Sequence, residues 1–334
     1  MTSTRNAAAS PSRPALRQRG WRKRGSGPAG TDARQGSPTR QPVDYQRRAR
    51  RGFLLPLTLV LGVVTIAPFL YAVWLSLTDA SPLQHGTHFT GIKNYETLVT
   101  SSSFWQAALT TIIFTVVAVA VELTLAILVG YALHRLRRGG SALRTLFILP
   151  MAAAPIAVMY DWQLIFNALS GVANYLLGKV GLPQPDWLGS AHMALPSLMI
   201  IDIWQWTPFI LVIIVGGLSS IPDEIYEAAQ VDGASALQQM WRITVPLLRP
   251  YIMVACLFRV IDALKTFDSI QVLTSGGPGT ATTTLNYYSF QQAINNLQFG
   301  PGTATALILL VIALLLTKFL LGRLEKSRGQ AVAR

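Results

Sequence analysis

Four charged side chains stand at intervals of three in one apolar stretch, alternating in sign: Arg259, Asp262, Lys265 and Asp268. A second apolar stretch carries Asp202, Trp204, Gln205 and Trp206. Carboxylate, amide and guanidinium groups hydrogen-bond to hydroxyls, and an aromatic face packs on the apolar side of a sugar ring. The set suits recognition of a polyhydroxylated solute. It suits equally a scaffold in which Arg259 and Asp262 pair to hold helices together and the tryptophans simply pack. Asp161, Asn286 and Tyr287 are weaker candidates for solute contact, and Glu122 can serve simply to orient its own segment.

The elements that must position these groups are membrane spans. Of 334 residues, 51% are hydrophobic and 13% charged, against about 25% charged in soluble domains. Residues 53–78 hold no Asp, Glu, Lys, Arg or His, and about 20 apolar residues cross a bilayer core. The hydropathy pattern predicts six spans, at 53–77, 104–133, 145–168, 193–218, 250–273 and 303–322. Trp204–Trp206 and Arg259–Asp262 then fall near mid-membrane, where an ionisable group costs about 2.5–3.5 kcal/mol and marks a pathway. Neighbours three apart on a helix can pair, which offsets part of that cost. Gln205 and Phe209 are expected to face about 100° away from Asp202 and Trp206.

The net charge of +13 is concentrated in residues 1–52, which hold thirteen Lys or Arg against Asp32 and Asp44. This tail reads as disordered, with Arg47, Arg48, Arg50 and Arg51 suited to anionic lipid headgroups rather than nucleic acid. The apolar run that follows is too long for a cleaved signal and reads as an anchor. Arg135, Arg137, Arg138 and Arg144 cluster between spans two and three, and Arg323, Lys326, Arg328 and Arg334 follow the last span. Positive charge stays on the cytoplasmic side, so both termini and the 219–249 loop are expected inside a bacterial cytoplasmic membrane. The chain divides into a tail at 1–52, a membrane domain at 53–322 and a C-terminal tail at 323–334.

Catalytic chemistry has little to stand on. Cys256 is the single cysteine, and His85 and His88 lack further ligands, so no metal is expected. Gly178-Lys179 comes nearest to a phosphate-binding loop, but Ala173 and Val180 break the pattern. No serine–histidine constellation shares a face. The chain is expected to be no enzyme and to bind no cofactor.

The 219–249 loop has structure of its own. Pro222-Asp223-Glu224 reads as a helix start and Asp232-Gly233 as a stop. An amphipathic stretch follows from Ala234 to Val245, with Leu237 and Trp241 one turn apart. Within it Glu227-Ala228-Ala229, Gly233, Ile243 and Pro246 resemble the EAA signature of permeases in binding-protein-dependent ABC importers. Gly91-Ile92-Lys93-Asn94-Tyr95, Asn174, Phe267-Asp268 and Leu273-Thr274-Ser275-Gly276-Gly277-Pro278 extend the resemblance to the sugar permeases of that group.

The resemblance implies an all-α membrane protein, the six-helix transmembrane domain of a type I ABC importer with a cytoplasmic coupling helix. Glu224, Glu227, Ala228, Ala229, Asp232, Gly233 and Ala234 would then meet an ATP-hydrolysing subunit. It also implies a sugar pocket at Trp204, Gln205, Trp206, Phe209, Arg259, Asp262 and Thr266, where the charges of Arg259 and Asp262 depart from the pattern. Implied partners are a second permease, two ATP-hydrolysing subunits using ATP and Mg2+, an extracytoplasmic sugar-binding protein and membrane lipid. The expected cargo is a disaccharide, with trehalose the particular sugar suggested. The alternative is a self-powered secondary carrier for sugars or polyols, in which the fifth-span charges couple transport to protons or ions.

Overall fold

The structure, a computed structural model, describes residues 44–83, 86–136 and 147–332. Residues 1–43, His85, Arg137, Arg138, Arg144 and Arg334 lie outside them, as do the side chains of Arg47, Arg48, Arg50, Arg51, Lys326 and Arg328. Among the described residues the chain is helical, with one isolated β-bridge between Thr78 and Phe89. It divides into two units, Met1–Leu59 and Val60–Arg334; everything below concerns the second unit unless stated.

Among the described residues, four helices are long and apolar enough to cross a membrane. They contain Leu54–Ser76, Ser102–Arg135, Ala194–Leu218 and Phe299–Leu324. The first lies in α1 (Asp44–Ser76), and one short helix, α2 (Lys93–Thr100), precedes the long α3 (Ser102–Arg135). Because α1 begins at Asp44, residues 44–52 are helical rather than part of a disordered tail. Arg, Gln and Ala are good helix formers, so the apolar helix extends backward through the basic run, across Gly52.

The other two expected spans are each interrupted, so the count of six does not rest on six continuous helices. The third consists of a helical turn at 147–152 and then α4 (Pro155–Ile165). Ala154 is extended, with φ −63° and ψ 123°, because a proline ring disfavours the helical region for the residue before it. After α5 (Val172–Lys179) and α6 (Ala194–Leu218), two short helices appear, α7 (Asp223–Val231) and α8 (Ala236–Gln239). The fifth expected span is α9 (Arg249–Leu264) and α10 (Asp268–Leu273), separated by Lys265–Phe267. The chain closes with α11 (Leu285–Phe290) and α12 (Phe299–Val332).

Irregular backbone at membrane depth is tolerated where protein or water satisfies its polar groups. The α9–α10 break meets that condition. Asn286 donates from its amide to the Lys265 carbonyl at 2.7 Å. Phe267 is held between Tyr287 and Phe290, at ring distances of 5.9 and 4.9 Å.

Three apolar clusters make the core. One joins Ala126, Ile210, Ile214 and Ala255 of the long helices to Tyr226 and Met240 of the loop between α6 and α9. A second gathers Phe114, Met159, Leu198, Ile201, Ile270 and Tyr287 around the break. A third packs Phe104, Leu264, Tyr288 and Ala304. Outside the core, Asn94 donates to the carbonyls of Ser76 and Thr78, both at 2.8 Å, closing the end of α1.

Candidate functional site

Arg259 is the hub of the membrane site, with a side chain only 1% exposed. Its Nε donates to one oxygen of Glu122 at 2.7 Å and its Nη2 to the other at 2.9 Å. Nη2 also donates to Asp202, and Nη1 donates to Asp262 at 3.1 Å. The guanidinium lies 5.4 Å from the Trp206 ring centroid, within the range of a cation–π contact. Three helices thus meet at one side chain: α3 through Glu122, α6 through Asp202 and Trp206, and α9 through Arg259 and Asp262. Such a cluster suits the interior, because a buried charge must be paired and hydrogen-bonded.

Two adjoining cavities open beside this hub and share Trp206, Asp262 and Lys265. One, of about 130 Å³, is also lined by Asp202, Gln205, Thr266 and Phe267 of the break, and Asp268 and Ser269 at the start of α10. The other, of about 240 Å³, adds Phe209, Phe258 and Arg259. Of the residues singled out from the sequence, Gln205, Trp206, Phe209, Arg259, Asp262, Thr266 and Asp202 therefore come together. The separation of Gln205 and Phe209 from Asp202 and Trp206 is not found. Positions 202, 205, 206 and 209 follow i, i+3, i+4, i+7 spacing, which is one helix face, and the cavities are wide enough to take the whole stripe.

Trp204 stands apart. It is exposed, stacks edge-on against Trp162 at 5.5 Å, and lines an apolar groove with Leu125, Phe147 and Pro208. Asp161 is exposed on α4. Asn286 and Tyr287 brace the α9–α10 break from behind rather than lining either cavity. The pairing expected along the fifth span holds only for Arg259 and Asp262. Helix α9 ends before Lys265, so Lys265 and Asp268 do not share a helix and form no ion pair among the described residues.

The group that sequence reasoning underrated is Glu122. It is fully buried and reaches a partner 137 residues away. The available signal was its isolation: no other Asp, Glu, Lys, Arg or His occurs in α3 before His134.

At one end of the bundle the loop between α6 and α9 is bent and fixed to α3. Gly233 has φ +77° with open space around its Cα, so the torsion rather than crowding requires glycine. Ser235 opens α8 with a capping box completed by Gln238. The Tyr131 hydroxyl donates to the Ala236 carbonyl at 3.0 Å, and Arg135 donates to the Gln239 side chain at 3.3 Å. Tyr226 pairs with Thr244 at 3.0 Å, and burial pushes its phenol above the ordinary pKa. Tyr226 and Ala229 face inward, whereas Glu224, Glu227, Ala228 and Val231 form an outer face. Asp232 and Gly233 are exposed at the bend and Ala234 is half-buried behind it.

Long apolar helices around a polar mid-span cavity, with a bent helical loop at one end, define a membrane-embedded permease domain. The chain belongs to the family of binding-protein-dependent transport system inner membrane components, whose sequence profile matches residues 122–328. It is 40% identical over 284 residues to the probable ABC transporter permease protein y4oQ of Sinorhizobium fredii, covering 84% of this chain and 91% of that one. It is 35% identical over 273 residues to the trehalose/maltose transport system permease protein MalF of Thermococcus litoralis, covering 81% and 92%. Its fold is similar to a chain in the crystal structure of a bacterial ABC transporter that imports the acidic polysaccharide alginate. That match has a TM-score of 0.72 at 21% identity, covering 84% of this chain and 98% of the other. The multi-pass inner-membrane assignment and the type I importer fold follow from this membership.

Proposed function

We propose that the chain is one pore half of an ATP-driven importer that carries a disaccharide into the cytoplasm by alternating access, with trehalose the particular sugar. A second permease completes the pathway around the two cavities. An extracytoplasmic binding protein delivers the sugar, and two partner subunits hydrolyse ATP with Mg2+. Both termini and the α7–α8 loop lie on the cytoplasmic side. The trehalose/maltose relative supports the choice of sugar, and the hydrogen-bonding lining beside Trp206 suits a hydroxylated ring.

The observation that carries the coupling role is the uncovered outer surface of the loop. Val231 is 89% exposed, Leu237 64% and Trp241 55%, next to Glu224, Glu227 and Ala228. A surface of that kind marks an interaction site. Small Ala228 lets a partner's backbone approach, and Glu227 offers it a carboxylate. Arg259, which as an open group would suit ion coupling, is bonded to Glu122, Asp202 and Asp262. A guanidinium paired in this way lends no support to a self-powered carrier.

Uptake of labelled disaccharides in a strain lacking the chain, restored by the wild type, tests the transport reading. Deleting residues 222–245, or changing Glu227 and Gly233 together, should leave the protein in the membrane with ATP hydrolysis uncoupled from uptake. Unchanged uptake by those variants would remove the coupling role.

A further inference from the structure

We infer that Glu122 is a positioning residue for the transport site: it holds the Arg259 guanidinium at the angle from which that group fixes Asp262 and Trp206 in the cavity wall. The inference rests on the sugar-import reading of that site.

Glu122 sits on α3 and lines neither cavity, whereas Asp202, Trp206, Arg259 and Asp262 all do. Its two oxygens receive Nε and Nη2 of Arg259 at 2.7 and 2.9 Å. Two parallel charge-assisted bonds of this type set the plane of a guanidinium as well as its position. With that plane fixed, little freedom remains for the rest of the group. Nη1 is aimed at Asp262 at 3.1 Å, and the face lies 5.4 Å from the Trp206 ring centroid.

Asp262 is the partner that stays open to the cavity, with its side chain 48% exposed against 0% for Glu122. The hydrogen-bonding edge and the aromatic face presented to a sugar are thus set from behind by a residue the sugar does not meet. Without that fork the guanidinium would be left to single bonds from Asp202 and Asp262, its plane would no longer be fixed, and Asp262 and Trp206 would lose their common support.

Glutamine at 122 keeps the size of glutamate but replaces one acceptor with a donor, which faces an N–H and breaks the fork. Aspartate keeps both acceptors on a shorter arm. The importer, assembled with its partner subunits in proteoliposomes, should be compared as wild type, Glu122→Gln and Glu122→Asp. The readouts are sugar moved per ATP hydrolysed and the ratio of trehalose to maltose uptake, each per assembled complex. Glu122→Gln should lower sugar moved per ATP by about tenfold or more, as misplacing binding groups by about 1 Å does. It should also shift the trehalose-to-maltose ratio, and Glu122→Asp should recover part of both.

An assembled Glu122→Gln importer with wild-type yield per ATP and wild-type sugar ratio overturns the inference. So does failure of both variants to assemble, which would make Glu122 a residue of folding alone. A wild-type importer that moves neither sugar refutes the transport reading itself, and this inference falls with it.

Discussion

The α7–α8 loop and the Arg259 hub are built on opposite logics. In the loop the features that shape the backbone are local, though Tyr131 and Arg135 tie it to α3: Pro222 precedes α7, Gly233 makes the bend at φ +77°, and Ser235 with Gln238 caps α8. In the hub the decisive bond joins residues 137 apart, and the three carboxylates come from three helices. A handle for a partner needs a fixed shape and an open surface, which short-range signals supply. A polar site inside a membrane must first satisfy its own charges, and only tertiary packing can bring enough partners to one place.

The sharpest way to break the contrast is Arg259→Ala. Removing one side of a buried charge cluster costs about 3–5 kcal/mol, because Glu122 and Asp202 stay buried without their partner. Thermal melting of the detergent-solubilised importer should show that loss, and a variant as stable as wild type would deny the hub its structural weight. Gly233→Val should cost less, about 1–2 kcal/mol, since a residue with Cβ resists positive φ. Its effect should appear as uptake lost relative to ATP hydrolysis, because the bend sets the loop's outer surface. Ser235→Ala removes the cap of α8 at about 1 kcal/mol, measurable as a small shift in melting with transport retained.

The smallest effect is expected at Trp204→Leu. Trp204 lines the apolar groove and not the cavities, so sugar uptake at saturation should match wild type. Trp206→Leu, by contrast, should reduce uptake. Equal losses from the two would mean that Trp204 turns toward the pathway during the transport cycle.

The bend of the loop was legible because its residues act on their nearest neighbours: Pro222 and Gly233 state the backbone they require. The long apolar helices were legible for the same reason that lipid excludes charge. The breaks were harder. Pro155 announces the interruption after Ala154, yet within an apolar run it reads as an ordinary span residue. Lys265–Phe267 carries no breaker at all; its irregular backbone is held by Asn286 and by aromatic packing from another part of the chain. The spacing of three from Arg259 to Asp268 suggested pairing along one helix, but that helix ends at Leu264. Glu122 had to wait for the fold, since nothing in its neighbourhood names a partner.

The wiring of Arg259 also bears on how this permease could acquire a new cargo. Arg259 joins three helices, and Glu122, Asp202 and Asp262 all bond to it, so that quartet is a poor starting point for gradual retuning. Gln205, Phe209 and Thr266 touch the same hollow without joining the charge network. Libraries built on those three positions offer the gentler route to altered selectivity, with the arginine hub left intact beneath them.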